Sequence, residues 1–176
     1  MTAIIFILAL LVPPYDRDAF GGGWADLDRD GCSTRQEVLA RDLTQDRTVR
    51  KGRCRAVVSG VLSDPYGGAP LLVRDASREV QIDHVVALKD AWVSGAYRWS
   101  PEKRRRFAND PRNLLAVPSR TNSAKGSRGP AEVEELVRAG RCRYAKTYAQ
   151  TKRNWKLATT PTDVAALRRA LRGCPR

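Results

Sequence analysis

Apolar and β-branched residues cluster into short runs along the middle of the chain. Residues 55–62 and 70–74 form two such runs, and they flank the turn-forming cluster at 63–68. This arrangement predicts a β-hairpin. Two further short strands are predicted at 79–86 and 113–117.

Helical periodicity occurs on both sides of this β-rich region and within it. An early helix is predicted at 35–43, with Val38 and Leu39 on its apolar face. Another helix begins near Ser100 and stops before Pro111, because the residue before a proline disfavours the helical conformation. Further helical segments are predicted at 89–95 (helix or loop), 119–125, 132–139 and 142–155, and from Thr160 to Arg172. The pattern therefore predicts an α+β fold with a β-hairpin in its N-terminal half and flanking C-terminal helices.

Residues 1–14 form a separate apolar segment. A ten-residue apolar run from Ala3 to Val12 ends at Pro13 and Pro14. The run is shorter than the roughly 20 residues that cross a bilayer, so we expect no stable membrane span. No basic residue precedes it and no Ala-x-Ala follows it. Three interpretations stay open, namely a signal-segment remnant, an uncleaved anchor and a buried strand, and we favour the export remnant.

The remaining residues, 15–176, are expected to form one domain. The chain has 176 residues, of which 42% are hydrophobic, as is typical of a globular protein. Lys and Arg number 32 against 19 Asp and Glu, which gives a net charge of +13. This excess favours an anionic partner, most simply the phosphates of DNA or RNA, over a basic surface with no such partner. The oligomeric state does not follow from these features.

The spacing of the cysteines favours disulfides over a zinc site. The four are Cys32, Cys54, Cys142 and Cys174. None lies in a Cys-x-x-Cys pair, and the chain has one histidine. Among the three connectivities we favour the sequential one, Cys32–Cys54 and Cys142–Cys174, because two antiparallel C-terminal helices would bring the latter pair together. Disulfides predict an oxidising compartment and a secreted protein, with a cytoplasmic location as the alternative.

Residues 26–37 match the calcium-loop pattern D-x-D-x-D-G-x5-E. The candidate ligands are Asp26, Asp28, Asp30 and Glu37. The oxygens of the three aspartates would converge on one cation, and the glutamate could bind it with both oxygens. The alternative is a capping box in which Thr34 and Glu37 start the following helix while the aspartates hold a turn. We expect a structural role for a calcium ion here, and no catalytic one.

The strand predicted at 79–86 carries a carboxylate and an imidazole side by side, at Asp83 and His84. Neighbouring residues of a strand point to opposite faces, so we expect one of the two to leave the core where the strand ends. A metal ligand beside a general base suits this geometry, because each needs its own direction of approach. The alternative is a surface aspartate next to a half-buried histidine.

Further motifs surround this pair. They are Tyr15-Asp-Arg-Asp18, Trp24-Ala-Asp26, Asp30-Gly-Cys32, Asp64-Pro-Tyr66, Ile82-Asp-His-Val85, Phe107-Ala-Asn-Asp110, Asn113-Leu-Leu115, Asn122 and Lys125-Gly126. With these motifs the chain resembles the HNH (His-Me finger) endonucleases, and more closely the actinobacterial HNH proteins related to the C-terminal domain of GmrSD-type restriction enzymes. The resemblance covers most of the chain from about Tyr15.

The resemblance implies a role for each residue of the central motifs. His84 would be the general base that activates water, and Asp83 and Asn122 would bind one divalent ion. Asn113 would hold the loop or orient the His84 ring. Lys125, or a neighbouring arginine, would contact the phosphate.

The resemblance also implies a ββα-metal core and a metal-dependent endonuclease that acts on DNA. Oxygen ligands suit Mg²⁺ or Mn²⁺ as the active-site ion. Two alternatives stay open. One is a catalytically inactive, basic nucleic-acid-binding protein on the same scaffold, and the other is a calcium-stabilised secreted protein whose charge serves acidic polymers.

Overall fold

Two small antiparallel sheets and seven α-helices make up the described part of the chain. The computed structural model describes residues 12–175, so the apolar run predicted at 3–12 lies almost entirely outside the described residues. The strands are β1 Leu43–Lys51, β2 Cys54–Leu62, β3 Leu71–Val73, β4 Val80–His84 and β5 Leu114–Pro118. The helices are α1 Thr34–Asp42, α2 Ala76–Glu79, α3 Leu88–Val93, α4 Pro101–Ala108, α5 Ser119–Lys125, α6 Arg141–Asn154 and α7 Pro161–Leu171. The predicted α+β class is confirmed.

The first sheet has the strand order β1-β2-β3, and it contains the predicted hairpin. Strands β2 and β3 pair antiparallel from Gly60 opposite Val73 to Leu62 opposite Leu71. Strand β1 was not predicted, because after Leu43 its residues are polar except for the exposed Val49, and almost all of them are exposed. An edge strand of this kind buries too few apolar side chains to show a sequence pattern, and its pairing with β2 defines it instead.

The second sheet consists of β4 and β5 alone, and both strands match the prediction to within two residues. They pair antiparallel from Val80 opposite Pro118 to His84 opposite Leu114. Every residue of β5 is buried. Helix α5 follows β5 directly, so two strands and a helix form the predicted ββα arrangement.

Strand β4 passes between two hydrophobic cores. Val80 and Ile82 pack in a smaller core with residues of α1, β2 and β5. Val85 and Val86, just beyond the strand, belong to a larger core with Phe107 and the residues of α6. The residues between these pairs, Asp83 and His84, therefore lie where the chain crosses from one core to the other.

The helix predicted at 132–139 is wrong. This segment forms successive turns, in which Val137 N donates to Val133 O but Arg138 N donates to Glu135 O. Val133 and Val137 are both buried, four residues apart. That spacing is typical of a helix, but irregular turns also place both side chains in the core.

Both predicted disulfides are present. Cys32 pairs with Cys54 at a Cα–Cα distance of 4.8 Å, and Cys142 pairs with Cys174 at 5.6 Å. The second bond joins the start of α6 to the end of α7, as predicted. Disulfides fit an oxidising, extracellular location. Among residues 12–175 no helix combines the length and apolar character needed to cross a bilayer.

Replacing Cys142 and Cys174 together by alanine should lower the free energy of unfolding by about 3.5 kcal/mol. The bond closes a loop between residues that are 32 positions apart, and opening it frees the unfolded chain. Urea unfolding monitored by tryptophan fluorescence measures the change. The Cys32→Ala/Cys54→Ala variant, with a separation of 22, should lose nearly as much. A loss below about 1 kcal/mol in the first variant would contradict this account.

Candidate active site

Asp83 and His84 lie at the end of β4, and both are buried. Their exposed fractions are 3% and 9%, so the expectation that one leaves the core is wrong. Because they alternate on the strand, they face different groups, and each has polar partners that make its burial tolerable. Both line one cavity of about 330 Å³.

The His84 ring is held by one hydrogen bond and one stacking contact. Its Nε2 lies 2.8 Å from the carbonyl oxygen of Ala108, and Trp24 stacks on it with ring centroids 5.5 Å apart. A carbonyl only accepts hydrogen bonds, so Nε2 carries the proton in the neutral ring and Nδ1 is the basic atom. The pKa of His84 is lowered to about 4, chiefly by burial. The hydrogen bond to the Ala108 carbonyl opposes this shift, and the nearby Arg17 and Lys125 contribute smaller shifts in the same direction as burial. The imidazole is therefore neutral at pH 7.

Asp83 takes part in a buried network with Lys125 and Tyr66. Lys125 Nζ lies 2.9 Å from Asp83 Oδ1 and donates to the His84 carbonyl oxygen at 3.0 Å, while the Tyr66 hydroxyl donates to Asp83 Oδ2. The Lys125 side chain has no exposed surface. Burial raises the pKa of Asp83, and the ammonium and the hydroxyl act in the opposite direction. Burial and the neighbouring Asp83 raise the pKa of Tyr66 well above its usual value.

The network bears on the roles of two residues, Lys125 and Tyr66. A direct contact between Lys125 and phosphate does not match the structure, because its ammonium is enclosed and engaged by Asp83 and His84. Tyr66 was absent from the predicted site residues. The Asp64-Pro-Tyr66 motif was the signal for it, but nothing in that motif indicates a partner 17 residues later in the chain.

Asn113 holds the loop that follows β4. Its Oδ1 accepts from Val86 N at 2.8 Å, its Nδ2 donates to Val86 O at 3.0 Å, and its backbone oxygen accepts from Val85 N. The amide side chain thus mimics a strand partner for the loop. Of the two roles that the resemblance implied, this geometry fits loop holding, and the ring of His84 is held by Ala108 instead.

Asn122 lies on α5 and lines the same cavity as Asp83 and His84. Its Nδ2 donates to Gln81 Oε1 at 2.7 Å. That bond leaves the side-chain oxygen of Asn122, Oδ1, unused, and Oδ1 is the atom with which a side-chain amide binds a metal ion. Two exposed cations, Arg17 and Lys89, also line the cavity and give it a positive rim.

The residues of the cavity fit a Mg²⁺ or Mn²⁺ ion. Asp83 and Asn122 offer carboxylate and amide oxygens, which are the donors that these hard cations prefer. Each Asp83 oxygen has a protein partner, but a carboxylate provides about four lone-pair sites, so further bonds remain possible. Lys125 is the competing positive charge, and it sits on one oxygen only.

The acidic loop before α1 brings its aspartates together. Carboxylate oxygens of Asp26, Asp28 and Asp30 lie within 4.8 Å of one another. Burial, together with these three charges, raises the pKa of Glu37. Asp26 Oδ1 is shielded from solvent and has no hydrogen-bond partner among the described residues. These carboxylates fit a hard cation such as Ca²⁺.

The alternative for this loop is wrong in its capping box and right in its turn, because Asp26, Asp28 and Asp30 each accept a hydrogen bond from a backbone N–H of the loop. Helix α1 begins at Thr34 with Ser33 as its N-cap, and no side chain caps it. The Thr34 hydroxyl instead donates to Ala25 O. The turn at Gly31, which has a φ of 99°, is held by the bond from Gly31 N to Asp26 Oδ2.

Comparison with known proteins gives the family. A family model described as "GmrSD restriction endonucleases, C-terminal domain" matches residues 33–170. An uncharacterized secreted protein of Arthroderma benhamiae is 37% identical over 162 residues, which cover 91% of this chain and 76% of that protein. No solved structure matches the chain. The matched residues include Asp83, His84, Lys89 and Asn122 of the cavity, whereas Arg17 precedes them. The chain belongs to the family of GmrSD restriction endonuclease C-terminal domains, which is nuclease-related.

Proposed function

We propose that this protein is a metal-dependent endonuclease that hydrolyses phosphodiester bonds of DNA. One observation carries the proposal: a neutral, oriented imidazole and two oxygen donors on separate elements line the same positively rimmed cavity. The nuclease-related family supports it. Secretion is part of the proposal, and it is supported by the two disulfides and the secreted relative.

His84 is the general base of the proposed reaction. Its Nε2–H is fixed on the Ala108 carbonyl, so Nδ1 accepts the proton from the attacking water. Stacking on Trp24 fixes the plane of the ring. A pKa near 4 keeps the ring unprotonated at neutral pH, at the cost of a weaker base.

Asp83 and Asn122 would hold the divalent ion. When bound, such an ion supplies Lewis-acid stabilisation of the charge that develops on the phosphate and the leaving oxygen. Lys125 and Tyr66 are positioning residues, because they fix the Asp83 carboxylate from both sides. Arg17 and Lys89 attract the phosphate, since they are the exposed cations of the cavity.

DNA rather than a small phosphodiester is the substrate that fits the charge. The chain carries a net charge of +13, which supplies affinity for a polyphosphate backbone without reading the bases. We therefore propose cleavage with little sequence preference.

His84→Ala should abolish cleavage while DNA binding is kept. Supercoiled plasmid incubated with wild-type protein and Mg²⁺ should become nicked or linear, and neither EDTA-treated protein nor the variant should cleave it. The loss should be about 100-fold or more, the range expected for removal of a general base. Circular dichroism of the variant checks its fold. If wild type retards the plasmid without cleaving it, and the variant does the same, the protein is a binder and the catalytic assignment is wrong.

Tyr66→Phe should raise the Mg²⁺ concentration needed for half-maximal cleavage by about 10-fold, because Asp83 loses the donor that orients it. Tyr144→Phe is the matched control: Tyr144 packs edge-on against Tyr66, and its hydroxyl has no hydrogen-bond partner among the described residues. The control should leave the metal dependence unchanged. Equal shifts in both variants would show that Tyr66 contributes packing alone.

We also propose that the acidic loop binds Ca²⁺ as a structural ion. Millimolar Ca²⁺ should raise the melting temperature of the wild type, because an ion that binds only the folded state stabilises it. The Asp28→Asn/Asp30→Asn variant should lose this response, since both side chains belong to the carboxylate cluster. An unchanged wild-type melting temperature, or an equal rise in the variant, would contradict calcium binding at this loop.

A further inference from the structure

The end of the β1–β2 hairpin carries a dense cluster of positive charge. Five of the nine residues 47–55 are basic and none is acidic. The basic residues, here called the hairpin cluster, are Arg47, Arg50, Lys51, Arg53 and Arg55. All five are exposed, and among the described residues none of them forms an ion pair. Their charge is therefore not compensated within the fold.

Three of these arginines border one concave surface. Arg50, Arg53 and Arg55, with Thr48, line a depression of about 470 Å³. Arg50 lies directly opposite Arg55 in the β1–β2 register. Like charges at such a position destabilise a sheet, so the cluster does not serve the stability of the hairpin.

The guanidinium groups are fixed by neutral acceptors and keep donors to spare. Arg50 Nε donates to Gly52 O, Arg53 Nη2 to Arg29 O and Arg55 Nη2 to Thr48 Oγ1, each at 3.1 Å. Each guanidinium carries five N–H donors, and these bonds use one apiece. The remaining donors suit phosphate oxygens, which guanidinium groups bind in a planar, forked geometry.

A covalent link holds the hairpin cluster in place. Cys54 begins β2 at the end of the hairpin, and its disulfide to Cys32 ties this end to the loop before α1. A cross-linked hairpin loses less conformational freedom on binding than a free loop does, which favours a preformed contact surface.

The same loop connects the hairpin cluster to the candidate active site. Trp24 stacks on His84, and Cys32 follows it eight positions later in the chain. Eight extended residues span at most about 28 Å, so the disulfide lies within that distance of Trp24. One turn of duplex DNA measures about 34 Å along its axis. A single duplex in the active site is therefore long enough to reach the hairpin.

We propose that the hairpin cluster is a second phosphate-binding surface. It binds the sugar-phosphate backbone of a duplex whose cleaved bond lies in the active site. This inference rests on the proposed function, and it names the part of the +13 surface that grips the substrate. Contacts of this kind position a duplex and carry no sequence information.

The test compares two variants that lose the same charge. Arg50→Ala/Arg53→Ala/Arg55→Ala removes the lining of the depression. Arg153→Ala/Arg168→Ala/Arg172→Ala removes three exposed arginines of the C-terminal helical region. Binding to a fluorescent duplex of about three helical turns is measured by anisotropy, without divalent ions, between about 50 and 200 mM salt.

The slope of log affinity against log salt is negative, and each lost phosphate contact should reduce its magnitude by about 0.9. We expect the magnitude of the slope to be smaller by about 2–3 in the hairpin variant than in wild type, and to be unchanged in the control variant. Arg50→Lys/Arg53→Lys/Arg55→Lys should retain most of the slope, because it keeps the three charges. Melting temperatures measured for all variants check that each is folded.

Two results would overturn the inference: an unchanged slope in the hairpin variant, or an equal loss in both alanine variants, which would indicate net charge alone. Plasmid cleavage separates this outcome from failure of the proposed function. Cleavage by wild type with no slope change in the hairpin variant refutes the hairpin surface only. A slope change in the hairpin variant, together with a wild type that never cleaves, refutes the nuclease and leaves the hairpin surface standing.

Discussion

The buried ion pair between Lys125 and Asp83 is the interaction on which the candidate site depends. It connects the end of α5 to the end of β4 at 2.9 Å, with the lysine side chain fully enclosed. Taking two charges out of water costs several kcal/mol each, and their attraction offsets this only when further hydrogen bonds are made. Tyr66 and the His84 carbonyl oxygen supply those bonds. The position of α5, and with it that of Asn122, follows from this network.

A second constraint fixes the imidazole. Strand β4 leaves one core and enters another within a few residues, and Asn113 holds the connecting loop by two bonds to Val86. His84 is therefore fixed from the backbone as well as from its ring contacts with Ala108 and Trp24. The burial that produces this order also lowers the pKa of the ring, so the site combines a well-positioned base with a weak one.

Local pattern was enough to predict the elements that bury an apolar face. The hairpin of β2 and β3, the strands β4 and β5 and the helix α1 were predicted to within a few residues of their observed bounds. Strand β1 escaped prediction because it is an exposed edge, and the segment 132–139 was misassigned because Val133 and Val137 are buried by turns. Both errors arise where the partners of a residue, rather than its own periodicity, decide its structure.

The sequence by itself determined the fold class and favoured the sequential disulfides among three connectivities, and the resemblance to the HNH endonucleases indicated the chemical types near Asp83 and His84. These inferences follow from periodicity, from the predicted antiparallel C-terminal helices and from motif order, all of which can be read along the chain. Only the tertiary structure decided that Lys125 is enclosed, that Tyr66 donates to Asp83 and that the His84 ring rests on Ala108 and Trp24. Burial and hydrogen-bond partners come from residues distant in the chain, and the solvent they exclude sets the charge and reactivity of each group.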